Sequence, residues 1–151
     1  MTRDTDGTWH VSHDEYNKKI QPIPVEKGRQ SHQPLTEKEQ TLLRGLLGSL
    51  QWPAVQSSPH IQASTSLLSG EMSTGLSSAL LEANKLLRFC KTNSDVHLRF
   101  PPLGKLEDLR LSCMFDAALG VRHDGSSQGG YIVLLTHKDT FNGTESPYHV
   151  L

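Results

Sequence analysis

Residues 35–52 read LTEKEQTLLRGLLGSLQW. Thr36 and Glu39 stand in the Thr-x-x-Glu pattern of a capping box, in which two backbone donors at a helix start are satisfied reciprocally. Leu42, Leu43, Leu46, Leu47 and Leu50 then recur at spacings of three and four, one face of a helix. The pattern predicts a helix that ends by Trp52, because Pro53 disfavours helical geometry in the residue before it. Further along, Pro59 can open a second helix at His60, carrying Ile61, Thr65, Leu67 and Leu68 until Gly70. Ser73 or Thr74 can cap a third, from Leu76 to about Lys91. Its apolar positions are Leu76, Leu80, Ala83, Leu87 and Cys90, with Leu81 and Leu86 widening the stripe, and Thr92-Asn93-Ser94 ends it.

Upstream, residues 1–35 are polar and broken by Pro22, Pro24, Gly28 and Pro34. Thr8 to Val11 suits a short strand. Ser12, with Glu15 three residues on, suits the cap of a short helix through Ile20. QPIPVEKGRQSHQP (21–34) reads as a linker. Downstream the character changes. Val96 to Phe100 reads as a strand closed by Pro101-Pro102, and Leu109 to Phe115 as a second. Tyr131 to Leu135 is apolar throughout, as expected of a strand buried on both faces. Asn142-Gly143 signals a hairpin turn, and Tyr148 to Leu151 a further strand. The segments expected are a polar 1–35, a helical 36–94 and a β region 95–151, with an α+β fold and no internal repeat.

Hydrophobic residues make up 35% and aromatics 6%, which is thin for a self-sufficient core but richer than a disordered chain. The formal net charge is −1, so the chain either does not bind nucleic acid or supplies only part of a binding surface. Lys85, Arg88 and Lys91 recur at helical spacing. They suit contact with a phosphate backbone, or equally a plain solvated face. Cys90 and Cys113 sit in apolar runs with neither disulfide nor zinc spacing, which suits a reducing compartment. The N-terminus MTRDTDGTWH lacks the apolar stretch of a secretory signal, and no run is long enough to span a bilayer. A cytoplasmic or nuclear location without membrane attachment is expected. Asn142-Gly143-Thr144 matches a glycosylation sequon and reads as a turn. His10-x-x-His13 lacks a third ligand. Ser126 to Gly130 lacks the Gly-Lys-Ser/Thr ending of a phosphate loop.

Three stretches carry a resemblance. The first is 35–52, with its Gly-Ser-Leu-x-Trp ending. The second is LEANKLLRFCK, Leu81 to Lys91. The third joins Phe115-Asp116-Ala117-Ala118 to SSQGGYIVLL, Ser126 to Leu135. In this order the chain resembles the Pol polyprotein of copia-type long-terminal-repeat retrotransposons, over roughly residues 7–151. The first two stretches are similar to the helical connection leading out of the reverse transcriptase. The third is similar to the opening of RNase H, where an Asp-Ala pair ends the first strand and a Ser-x-x-Gly-Tyr segment opens the second. One departure stands out. Many members carry Arg-Pro-Asp after the Trp element, where this chain has Ser58-Pro59-His60. Any ion pair or nucleic-acid contact made by those charges is missing.

The resemblance implies a helical connection followed by an incomplete RNase H-like mixed β-sheet. The intact parent would copy RNA into DNA and degrade the RNA strand of an RNA–DNA hybrid with Mg²⁺ or Mn²⁺. Polymerase chemistry holds two metals on clustered carboxylates, which the family supplies from Tyr-x-Asp-Asp; this chain has no adjacent Asp pair. RNase H needs about four converging carboxylates. By resemblance the first, catalytic and metal-ligating, is Asp116; read without it, Asp116 is an ordinary turn or capping residue before Gly120. Only Asp124, Asp139 and Glu145 follow it. One carboxylate cannot hold two metals, so the chain is expected to be an inactive fragment that holds no metal stably and stops within a strand pattern at Leu151. Two other readings stay open. One is a non-enzymatic interaction module that docks a protein partner on its leucine-rich helices or open sheet edge. The other is a nuclease completed by a second chain.

Overall fold

In a computed structural model, residues 1–93, 96–120, 122, 124–142 and 148–150 are described. The chain is mixed α+β, with four α-helices and two small antiparallel sheets among those residues. It divides into two units. One is continuous, Ser12–His97, and the other joins Met1–Val11 to Leu98–Leu151. These borders differ from the expected segments at 35 and 94, because strand pairing brings the first eleven residues to the β region.

The continuous unit holds α1 (Asp14–Lys19), α2 (Glu37–Gln56), α3 (Gln62–Glu71) and α4 (Ser77–Thr92). The capping box of α2 forms as expected. Glu39 N–H donates to the Thr36 hydroxyl (3.2 Å) and Thr36 N–H to the Glu39 carboxylate (2.8 Å). Leu43, Leu46, Leu47 and Leu50 are buried, while Leu42 lies at the stripe's margin, 40% exposed. The helix does not stop at Trp52. It continues to Gln56 with Pro53 inside it, because Pro53 and Ala54 prolong the buried face begun by Leu46 and Leu50. At the far end the Pro53 carbonyl accepts both Ser57 N–H and Ser58 N–H.

Two expected caps are replaced. Helix α1 starts after His13, without a side-chain cap from Ser12. Helix α4 starts after Leu76, without one from Ser73 or Thr74. Its first donors go instead to the linker: Ser77 N–H to the Gln33 carbonyl and Ser78 N–H to the Ser31 carbonyl, each 2.8 Å. Those donors have no partner within the helix, so a chain segment laid across the helix start stabilises it. The linker is fastened again where Asn84 bonds both the N–H and the carbonyl of Ile23, each 2.9 Å. The core of the unit lies between α2, α3 and α4, and Leu50, Ile61 and Ala83 are fully enclosed. Each leucine or isoleucine there contributes about 1.5–3 kcal/mol by leaving water.

The second unit holds two three-stranded sheets. β1 (Thr2–Arg3), β2 (Trp9–Val11) and β3 (Leu98–Phe100) pair in that order, with Val11 opposite Leu98 and Trp9 opposite Phe100. β4 (Leu109–Ala118) and β5 (Gln128–His137) form a ladder of ten pairs, from Leu109↔His137 to Ala118↔Gln128. β6 (Tyr148–Val150) follows on the other side of β5. The mixed sheet expected is thus, among the described residues, antiparallel throughout. Tyr131 to Leu135 is not buried on both faces either. Tyr131 is 79% exposed and Leu134 only 7%, as befits an antiparallel strand wetted on one side. Asn142 closes a 3₁₀ turn begun at Thr140; Gly143 and Leu151, the rest of the expected turn and strand, lie outside the described residues. Among the described residues no helix is long and apolar enough to cross a membrane.

Candidate functional site

Asp116 lies in β4, two residues before its end, directly opposite Gly130 of β5. Gly130 presents no side chain of its own to Asp116. Asp116 is exposed, and its Oδ1 accepts the Ala117 N–H at 2.8 Å. Three other described carboxylates of the unit, Asp108, Asp124 and Asp139, are each engaged locally. Asp108 lies at the opposite end of the hairpin, about 27 Å away along the strand, and takes the Lys138 ammonium at 2.6 Å. That hydrogen bond holds the Asp108 carboxyl below its ordinary range. Asp124, in the loop after β4, accepts both the hydroxyl (2.6 Å) and the N–H (2.9 Å) of Ser126. These bonds lower its pKa and close a local turn. Asp139 sits beside His137, 3.4 Å away, again at the far end.

Among the described residues no three His, Cys, Asp or Glu side chains gather where they could hold a metal ion. A hard divalent cation takes six or more oxygen ligands, and two-metal chemistry needs carboxylates shared between the ions. Asp116 brings two oxygens, one already engaged. This donor set does not fit a two-metal centre.

The three cations read as a possible phosphate contact lie on α4, but two are committed. Lys85 pairs with Glu82 one turn back, Nζ to Oε1 2.6 Å. Lys91 donates to the Lys18 carbonyl at 3.1 Å. It thereby fills one of the acceptors that the last turn of α1 leaves open, where a positive charge also suits the helix dipole. Arg88 is exposed on the helix surface. Two of the three charges therefore hold the helical unit together or are neutralised in place.

The structure also assembles a cluster that spacing in the sequence does not reveal. His13, at the start of α1, meets Trp52 and Ser57 of the α2 end. Trp52 Nε1–H donates to His13 Nε2 (3.1 Å), and His13 Nδ1 lies 2.7 Å from the Ser57 hydroxyl. An indole nitrogen only donates, so Nε2 is the acceptor. The neutral ring then carries its proton on Nδ1 and donates to Ser57. A nucleophilic serine needs the reverse, a histidine nitrogen that accepts its proton. Ser57 is moreover 1% exposed. The cluster is a clip between α1 and α2, not a hydrolytic dyad. Its members stand 39 and 44 residues apart, so only the fold brings them together.

Arg29 forms a second unanticipated centre, in the linker. Its guanidinium donates to the Ser77 hydroxyl (2.8 Å), the Pro34 carbonyl (2.7 Å) and Glu39 (2.9 Å), and so ties the starts of α2 and α4 to one side chain. Compared with known proteins, this chain matches no family model, no characterised protein and no solved structure.

Proposed function

We propose that the chain is a segment of a copia-type retrotransposon Pol polyprotein, joining the reverse transcriptase connection to the start of its RNase H. The observation that carries this reading is the third motif pair. Phe115-Asp116-Ala117-Ala118 ends one strand, and Gln128-Gly129-Gly130-Tyr131 opens the next, paired with it in antiparallel register. An RNase H-like sheet opens with such a hairpin, its first carboxylate at the position of Asp116. The order of the two helical motifs upstream supports the same parentage.

On this reading the intact parent acts on RNA–DNA hybrids with Mg²⁺ or Mn²⁺, and this segment cleaves nothing by itself. Asp116 is one ligand of a site that needs several. Two measurements test the proposal. The genomic frame upstream is expected to encode Tyr-x-Asp-Asp, and the frame beyond Leu151 a Trp-x-Ser strand and a Glu-bearing helix. Flanking DNA with neither would remove the parentage. The purified chain is expected to leave a labelled RNA–DNA hybrid intact with either metal. Cleavage that disappears in Asp116→Asn would show instead that the segment carries a working nuclease site.

A further inference from the structure

Helix α1 keeps its place with little apolar packing. At six residues it is too short to persist in water unaided, since isolated helices below about 12–15 residues are marginal. Its contacts with the rest of the helical unit must therefore fix it. The buried residue of α1 is Asn17, 3% exposed, and no described donor reaches its Oδ1. A buried acceptor without a partner costs free energy, so Asn17 grips weakly. Ile20, just past the helix, packs against the core, and Lys91 of α4 donates to the Lys18 carbonyl (3.1 Å). Those contacts secure the last turn. The first turn is held by the clip that His13 makes with Trp52 and Ser57.

We infer that α1 is a latch, closed by the neutral ring of His13 and released when its Nε2 takes up a proton from acidic solvent. Nε2 accepts the Trp52 N–H at 3.1 Å. Once protonated it is itself a donor, and two N–H groups cannot share that line. Nδ1–H can donate to Ser57 in either form (2.7 Å), so the loss falls on the indole. The closed latch has no place for the extra proton, whereas a released ring takes it up freely. The hold is therefore complete above the value of a free imidazole, about 6.5, and declines as pH falls through it. Ile20 stays on the core as the hinge. Release frees the Trp52 indole, already 56% exposed, and the Lys91 ammonium. The inference rests on the helical unit alone, whatever the parentage of the chain.

The other ionisable groups beside the latch belong to other pH ranges. On α1, a hydrogen bond of 2.7 Å joins Glu15 to Lys18, lowering the carboxyl and raising the ammonium from their ordinary values. Asp14, Tyr16 and Lys19 are the remaining ones on that helix. The end of α4 that receives α1 carries Arg88, Cys90 and Lys91. Burial first, and then the Asp14 charge, push the Cys90 thiol up. The last turn of α2 carries no charged side chain. Carboxyls ordinarily titrate well below neutrality, and thiols, phenols and ammoniums above it. His60, in the turn after α2, is a further imidazole. It stands against the ring of Phe89, 6.0 Å between centroids, and its replacement serves as the control.

The test follows amide hydrogen exchange of the full chain by NMR at about one pH unit above and one below the free-imidazole value. The amides of Asn17 and Ile20, bonded to the His13 and Asn17 carbonyls, report on α1; those of Leu46 and Leu50 report on the core. After correction for intrinsic rates, protection in α1 should fall about tenfold at the lower pH, the most that one unit below the free ring's value can supply. Protection of Leu46 and Leu50 should hold. His13→Gln keeps an acceptor for the indole but gains no proton, and its α1 protection should be the same at both pH values. Trp52→Phe removes the donor, and α1 should show the acid level of protection at both. His60→Gln should behave as the wild type. Equal α1 protection at the two pH values in the wild type overturns the inference. So does a fall shared by Leu46 and Leu50, which would be unfolding of the core. A fall that persists in His13→Gln or in Trp52→Phe, or one that vanishes in His60→Gln, overturns it equally.

Discussion

Thr36 and Glu39 hold the start of α2 through a reciprocal pair of bonds, and Glu39 also receives Arg29 from the linker. The Thr36 N–H, first, keeps the Glu39 carboxyl below its ordinary value of 4.5; partial burial opposes it, and the Thr36 hydroxyl and Arg29 charge add to it. A carboxyl lowered in the folded state stabilises fully above its unfolded value, and the gain is lost as pH falls through the folded one. The acid limb of the stability curve should therefore begin near pH 4.5. Thr36→Ala, which removes the hydroxyl and keeps the N–H, is expected to cost about 1 kcal/mol at neutral pH, whereas Glu39→Gln, which removes the titrating group, should flatten that limb, as denaturant midpoints across pH would show. An unchanged limb would mean that Glu39 gains nothing from the box. Such a box is legible in sequence because its partners stand three residues apart. Arg29, ten residues from Glu39 and 48 from Ser77, is not. A linker of prolines and polar residues gives no sign of which of its side chains will be drawn inward.

Elements began about where local chemistry placed them and ended where packing decided. Periodicity located α2, α3 and α4 because leucines at three- and four-residue spacing have only one way to share a face. Pro53 was misleading, since the burial of Pro53 and Ala54 outweighed the helix-breaking tendency of the ring. Similarly, Ser12, Ser73 and Thr74 had the right chemistry to cap, yet backbone carbonyls of the linker took that place at α4. Glycines expose the balance of backbone and packing at this scale. Gly75, before α4, has φ +64 and gives its carbonyl to Leu35 N–H. A side chain would meet no atom there, so its cost is conformational alone. Gly75→Ala should destabilise by about 1–2 kcal/mol. Gly48, helical and exposed with open space around it, should behave oppositely, Gly48→Ala adding about 0.5–1 kcal/mol. Thermal melts of the two variants should move in opposite directions; parallel shifts would refute the assignment.

At the scale of the whole molecule, the enclosed apolar residues cluster in one unit. The hydrophobic core runs from Ile23 to Cys90, all within Ser12–His97, while Leu134 is the buried hydrophobic residue described in the other unit. Residues 12–97 expressed alone should keep their helical circular dichroism and unfold in one cooperative step, because the contacts that hold α1 to α4 lie inside that span. A non-cooperative melt of the excised piece would show that the core depends on the strands. Thr8 to Val11 and Val96 to Phe100 each carry a strand signal, but pairing between strands so distant in the chain has no local signature, so the partition is not legible in the sequence. For Asp116 the limit is similar. The apolar run marks a strand only as far as Phe115, and pairing with Gln128 to Gly130 carries it past Asp116 to Ala118; the Lys138 bond that commits Asp108 likewise emerges only from the folded hairpin.

Val11 and Leu98 stand opposite each other on β2 and β3, and the helical unit is everything between them. Adjacent strands lie about 5 Å apart, so the unit enters and leaves the sheet through what amounts to a single doorway. Tension applied to the two ends of the chain travels through the strands first. It reaches the helices only after the β2–β3 pairing has torn. The small sheet thus acts as a mechanical fuse in the chain path to the leucine core.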